Sequence, residues 1–206
     1  MLFLINSMES QQKIWNAIAE EWNDYKEIPS ELSKNFLNSC SGKVLDLGSG
    51  SGRHLTKIKN GKMYLVDFSE KMIELAEKKA KKLKVSAEFI VTDISKKLPF
   101  ENDFFDYAIS ISALHCLPQK FHKKAVHELY RTMKPGSRSL IGVWNFHSKR
   151  FNQKKGKEKL VGWTDKGKRY YYLFEESEIH KLFKDAGFKI LSTSNSEMMI
   201  NFIVEK

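Results

Sequence analysis

Residues 44–55, VLDLGSGSGRHL, form an apolar run that ends in an acid and opens into alternating glycines. Such a run reads as a strand buried on both faces. Gly48, Gly50 and Gly52 strip the following turn of side chains, so its backbone can bend tightly and lie against a ligand. A strand feeding a turn of this kind belongs to a parallel α/β sheet. Ligands of such sheets bind beyond the carboxyl ends of the strands, near the point where strand order reverses.

The rest of the chain keeps that alternation. KVLDL is the first strand, and a helix is expected to begin within residues 52–58. KMYLVDF, SAEFIVTD, FDYAISIS and SLIGVWNF read as further strands. Between them lie a helix capped by Ser69 and carrying Met72, Ile73, Leu75, Ala76, Ala80 and Leu83, and another over 119–133. FEESEIHKLFKDAGF is a helix closed by Gly187, and KILSTS and MMINFIVE are two last strands close enough to pair antiparallel. The pattern predicts a Rossmann-like, mostly parallel sheet with helices on both faces. Ahead of it, Ile14, Ile18 and Trp22 share one face of a helix over 9–27. Ser30 then caps a short helix with Leu32, Phe36 and Leu37 inward, so residues 1–40 form a helical lid.

At 206 residues the chain suits one domain, 1–206. No apolar run approaches the roughly 20 residues of a membrane helix. MLFLINSM is too short for a secretory leader and lacks a basic start; Met8 is an alternative beginning. Cys40 and Cys116 make neither a disulfide framework nor a metal site, which fits a reducing cytoplasm.

The ligand follows from the charges around the glycines. A dinucleotide site wants G-x-G-x-x-G, but Arg53 occupies the last position. Asp46 would repel a pyrophosphate and suits a ligand bearing an ammonium and a sulfonium, such as S-adenosylmethionine. Asp67, 21 residues further on, ends the second strand, where an acid accepts ribose hydroxyls. Asp93 ends the third, where it can meet an adenine amino group with Ile94 against the ring. The plainer alternative is that the acids cap helices and the glycines only turn; TDIS also reads as an ordinary turn.

VLDLGSGSG, VDFSEKM and LPFENDFFDYAISISALHCL resemble the class I S-adenosylmethionine-dependent methyltransferases over residues 43 to about 143. The resemblance implies a seven-stranded sheet with an antiparallel final strand. It implies a cofactor site at Asp46, Leu47, Gly48, Ser49, Gly50, Gly52, Asp67, Phe68, Asp93 and Ile94, with Ser110 on the fourth strand.

Charge points to the acceptor. The chain carries 35 basic and 25 acidic residues, a formal +10. Residues 145–173 hold nine basic residues (Lys154 and Lys155 among them) against two acids, a net of +7, interleaved with aromatics. Basic groups can hold phosphates while aromatic faces stack unpaired bases; a solvated loop is the plainer reading.

KIWNAIAEEWNDY, SISALHCL, HELYRTMKPGSRSLIGVWNF, VGWTDKGKRYYYLFEESEIHKLF and NFIVEK are similar to the tRNA wobble-uridine carboxymethyl methyltransferases. The resemblance implies methyl esterification of 5-carboxymethyluridine in tRNA and a small zinc-binding activator subunit covering an apolar surface beside the third strand. A carboxylate is already an anion at neutral pH, so the acceptor needs a cation or hydrogen-bond donor to orient it, not a base. On that logic His115, Trp144, Arg150, Arg169 and Tyr170 are the acceptor-site candidates. The family's Lys-Pro-Trp-Pro-like run is here replaced by DYKEIPSE. The fourth-strand motif also resembles quinone and metabolite methylating enzymes, so a small-molecule acceptor stays open.

Overall fold

The computed structural model describes residues 8–151 and 156–206. Residues 1–7 of the leader-like segment, and Lys154 and Lys155 of the insertion, lie outside the described residues.

Helices α1 (Met8–Ala17), α2 (Ala19–Tyr25) and α3 (Glu31–Asn38) precede the sheet. The helix expected over 9–27 is bent at Ile18, which leaves helical geometry at φ −101°, ψ 1° with its side chain fully buried. Ser30 caps α3, accepting the Ser33 N–H at 3.2 Å.

Nine strands follow: β1 (Ser41–Leu47), β2 (Lys59–Asp67), β3 (Ala87–Val91), β4 (Phe105–Ile111), β5 (Met133–Trp144), β6 (Glu158–Gly162), β7 (Lys168–Tyr172), β8 (Lys189–Thr193) and β9 (Met199–Glu205). Seven of them form one sheet in the order β3-β2-β1-β4-β5-β9-β8. The first five run parallel, while β9 is antiparallel to both neighbours. Helices α4 (Glu70–Leu83), α5 (Gln119–Thr132) and α6 (Glu176–Asp185) and a 3₁₀ turn, Leu114–Cys116, complete the order.

The period-two geometry of a strand sends successive side chains to opposite faces. Leu45, Tyr64, Val66, Ala108 and Ile141 enter one apolar core, and their neighbours Val44, Met63, Leu65, Ile109 and Leu140 enter the other. The central strands therefore read as unbroken apolar runs. Strand order reverses between β1 and β4, so the crevice expected of a doubly wound sheet opens above their carboxyl ends.

Two expectations are corrected. No helix begins within 52–58: residues 51–54 are turn, 55–58 are irregular, and β2 starts at Lys59. Gly48, Gly50 and Gly52 all sit at positive φ (77°, 53° and 75°), and the turn closes through Gly52 N–H to the Ser49 carbonyl and Leu55 N–H to the Gly52 carbonyl. The few residues left before β2 are too short a run for a stable helix. The loop thus lacks the helix N-terminus on which a pyrophosphate would rest. The basic insertion, in turn, is not a loop throughout: β6 and β7 pair antiparallel as a hairpin, from Glu158 opposite Tyr172 to Gly162 opposite Lys168.

Candidate functional site

A cavity of about 700 Å³ lies over the carboxyl ends of β1, β2 and β4, roofed by α1, α2 and the β6–β7 hairpin. That volume is in the range of small-molecule and cofactor sites. It has two chemically distinct halves.

The glycine loop floors the first. A Cβ on Gly50 would meet nothing within 4 Å, so this backbone faces open cavity. The other two glycines are required by packing. A Cβ on Gly48 would stand 2.2 Å from the Ala113 Cβ, and one on Gly52 would stand 2.7 Å from Leu55 and 3.1 Å from Ala76 of α4. Gly48→Ala combines that overlap with left-handed strain, and we expect it to cost about 2–5 kcal/mol of stability, read by thermal unfolding. Gly50→Ala carries only the strain, roughly 1–2 kcal/mol.

Asp67 ends β2 against this loop. Its Oδ2 accepts the Gly50 N–H at 2.9 Å and its Oδ1 the Ser69 N–H at 3.0 Å. A carboxylate has about four acceptor positions, so each oxygen keeps a lone pair for a ligand hydroxyl. Burial pushes Asp67 up to about 6, and the Ser69 and Gly50 N–H groups pull it back only in part. Phe68 and Ile94 line the cavity beside it. An acid with spare lone pairs, a bare glycine floor and flanking apolar side chains fit the ribose and adenine of the expected methyl donor.

Five other cofactor-site candidates do not reach the cavity. Asp46 is 1% exposed behind the loop, its oxygens without a hydrogen bond and Oδ2 3.3 Å from Nδ1 of His54, which does line the cavity. Leu47 is core, Gly52 packs on α4, and the Ser110 hydroxyl donates to the Leu47 carbonyl at 3.0 Å. Asp93 sits in a turn outside the cavity lining, its Oδ1 accepting the Ser95 N–H at 2.8 Å. Ser110 turns away from the crevice, while its neighbour Ile111 and the Gly48 that follows Leu47 line it.

The second half is aromatic and cationic. Arg169 on β7 is 4% exposed, yet no carboxylate pairs with it among the described residues. Its Nη1 donates to the Tyr171 hydroxyl at 2.7 Å, and its guanidinium lies 4.9–5.6 Å from the ring centres of Trp163, Trp22, Tyr171 and Trp15. Trp144 stacks on Tyr171 at 4.1 Å, and Arg150 lies over Trp144 at 5.5 Å.

His115, in the 3₁₀ turn, accepts the Trp144 N–H on Nδ1 at 2.9 Å, which leaves the proton on Nε2. Burial, with His122 nearby, pushes it down to about 3. His115 is therefore a neutral, fixed donor at physiological pH, neither acid nor base.

Of the acceptor-site candidates, His115, Trp144, Arg150 and Arg169 line the cavity and Tyr170 does not. Strand alternation turns Tyr170 to the opposite face, where its hydroxyl donates to Glu158 at 2.8 Å. Tyr171 takes the place, and period two from Arg169 already pointed to it. Trp15, Trp22 and Trp163 join the site without having been acceptor candidates; Trp15 of α1 and Trp22 of α2 meet edge to face at 5.0 Å across the bend at Ile18. Glu21 of α2 accepts from both the Trp163 indole and Lys166, fastening the hairpin tip to the lid.

The methyltransferase-domain family profile matches residues 38–189. The chain is 34% identical over 135 residues to the tRNA (carboxymethyluridine(34)-5-O)-methyltransferase of Arabidopsis thaliana, covering 64% of this chain and 32% of that protein. The chain thus spans about a third of the length of that relative. It is 24% identical to the enzyme of the same name in Schizosaccharomyces pombe, covering 89% and 90%. The ubiquinone/menaquinone biosynthesis C-methyltransferase UbiE of Escherichia fergusonii is 28% identical, covering 62% and 56%. The fold is shared with a SAM-dependent methyltransferase from Methanosarcina mazei (TM-score 0.71, 23% identity, 87% and 98% covered). It is shared too with a methyltransferase in complex with the Trm112 methyltransferase activator of Haloferax volcanii (TM-score 0.71, 18% identity, 97% of each).

Proposed function

The chain belongs to the methyltransferase-domain family, and from that premise we propose that this S-adenosyl-L-methionine-dependent methyltransferase esterifies the carboxylate of 5-carboxymethyluridine at the tRNA wobble position. One observation carries the reading: the buried guanidinium of Arg169, paired with no acid among the described residues and walled by aromatic rings. A buried cation without a counter-charge is costly and calls for an anion. Rings around it suit an anion carried on a flat base.

The bound cofactor supplies an electrophilic methyl group on a sulfonium. The residues do the rest. Arg169 and the Nε2–H of His115 orient the acceptor carboxylate without protonating it. Trp15, Trp22, Trp144, Trp163 and Tyr171 exclude water, and loss of water favours a reaction that cancels two charges. Exposed Arg150 lines the cavity, and exposed Lys149 and Lys168 adjoin the lining residues Arg150 and Arg169 in the chain; all three suit phosphates. The Arabidopsis and Schizosaccharomyces relatives support the substrate. A small zinc-binding activator is part of the proposal. Strand β3 is one of the sheet's two edge strands, Val91 on it is 45% exposed, and the Haloferax neighbour is bound to an activator.

The test is nucleoside analysis of carboxymethyl-bearing tRNA after incubation with the protein, the donor and an activator. Appearance of the methyl ester at the wobble uridine is the expected result. Labelled methyl entering a small-molecule extract instead would support the second reading, which the UbiE relative favours.

A further inference from the structure

The cavity holds, on its glycine floor, a further cation apart from those of the acceptor half. Arg53 follows Gly52 in the glycine-loop turn and lines the cavity together with Gly50, Lys26 and Ser30. Among the described residues, burial and the charge of Asp46 bear on its guanidinium, with no hydrogen bond acting on it. Asp46 attracts it only from a distance, behind the loop. Lys79 of α4, whose buried ammonium also lacks a hydrogen-bond partner, repels it. The loop end of the cavity is therefore positive, while the end of β2 carries the Asp67 carboxylate.

We propose that Arg53 binds the α-carboxylate of the methyl donor, so that the enzyme discriminates the intact amino-acid end of the donor from a decarboxylated one. The two Arg residues divide the work by position. Arg169 lies under the lid and hairpin, enclosed by the aromatic rings of the acceptor half. Arg53 lies on the loop that floors the donor half, three residues from the Gly50 backbone that bonds Asp67. An elongated donor with its ribose on Asp67 and its amino-acid end over the glycine loop brings its carboxylate to Arg53. Burial already disfavours the charged form of this guanidinium, so a carboxylate partner relieves an existing cost.

The inference uses the donor site alone and is independent of the acceptor. Calorimetric titration of the whole protein with S-adenosylmethionine and with decarboxylated S-adenosylmethionine, without RNA, tests it. The unaltered protein should bind the carboxylated donor about ten- to a hundredfold more tightly, the range for a hydrogen bond to a charged group. A site read only by its acids would prefer the decarboxylated form, which is the more cationic, so the sign of the preference is diagnostic. Arg53→Met should erase the preference by weakening the carboxylated donor alone, and Arg53→Lys should keep part of it. No preference in the unaltered protein, or equal weakening of both ligands by Arg53→Met, overturns the proposal. The first of these needs no variant. Failure to methylate tRNA, by contrast, would leave this preference intact.

Discussion

Arg169→Met is expected to lower kcat/KM for methylation of carboxymethyl-bearing tRNA by about 10²–10³-fold, the cost of removing one partner of a buried charge pair. Most of the loss should fall on KM. In the proposed reaction the acceptor carboxylate surrenders its charge as the ester forms, so the pull of Arg169 would be strongest in the ground state and weaken toward the transition state. Donor affinity should stay within about twofold, because Arg169 stands in the other half of the cavity. The fold should tolerate the change. Methionine keeps the apolar stem and fills space adaptably. What disappears is a buried cation that pairs with no acid among the described residues, set among four rings and bonded to Tyr171. Steady-state kinetics with a melting curve on the same variant check this. A large fall in melting temperature, or an unchanged KM, would mean that Arg169 serves the hairpin rather than the acceptor.

Donor binding should weaken in acid. Asp67 sits at about 6 because burial raises it from 3.8. The sign is the reverse of an ordinary ion-paired acid. The folded state holds this proton more tightly than the unfolded chain. The ionised group therefore lowers the stability of the free protein by about 3 kcal/mol above pH 6, a cost that fades as pH falls toward 4. A donor whose hydroxyls bond the carboxylate offsets that cost and must compete with the proton. Dissociation constants measured by calorimetry should be flat above pH 7 and rise about tenfold per unit below pH 6. Asp67→Ala removes two charge-assisted bonds, which weakens donor binding by about 10²–10⁴-fold, and should also abolish the acid limb. A variant that loses affinity yet keeps the acid limb would place the titrating group elsewhere.

The amino-acid sequence by itself determined the sheet, the glycine floor and a short list of three strand-end acids that includes Asp67. Each of these rests on a local rule: apolar runs for strands buried on both faces, left-handed turns that glycine tolerates, and an acid at a strand tip beside them. It also marked Arg169 within a segment of unusual charge. The tertiary structure alone decided which side chains look into the crevice. Asp46 and Asp93 have the right chemistry at strand ends, but one is buried behind the loop and the other stands in a turn outside the cavity lining. Tyr170 and Tyr171 are the same residue type one step apart, and the hairpin pairing that sends them to opposite faces depends on contacts far away in the chain. The cage itself joins Trp15 and Trp22 to Trp163 and Arg169, about 140 residues apart in sequence and in contact only because the lid folds back over the hairpin. Patterns of period two and 3.6 report the face of one element; which faces meet is settled by packing between elements, and no local pattern records it.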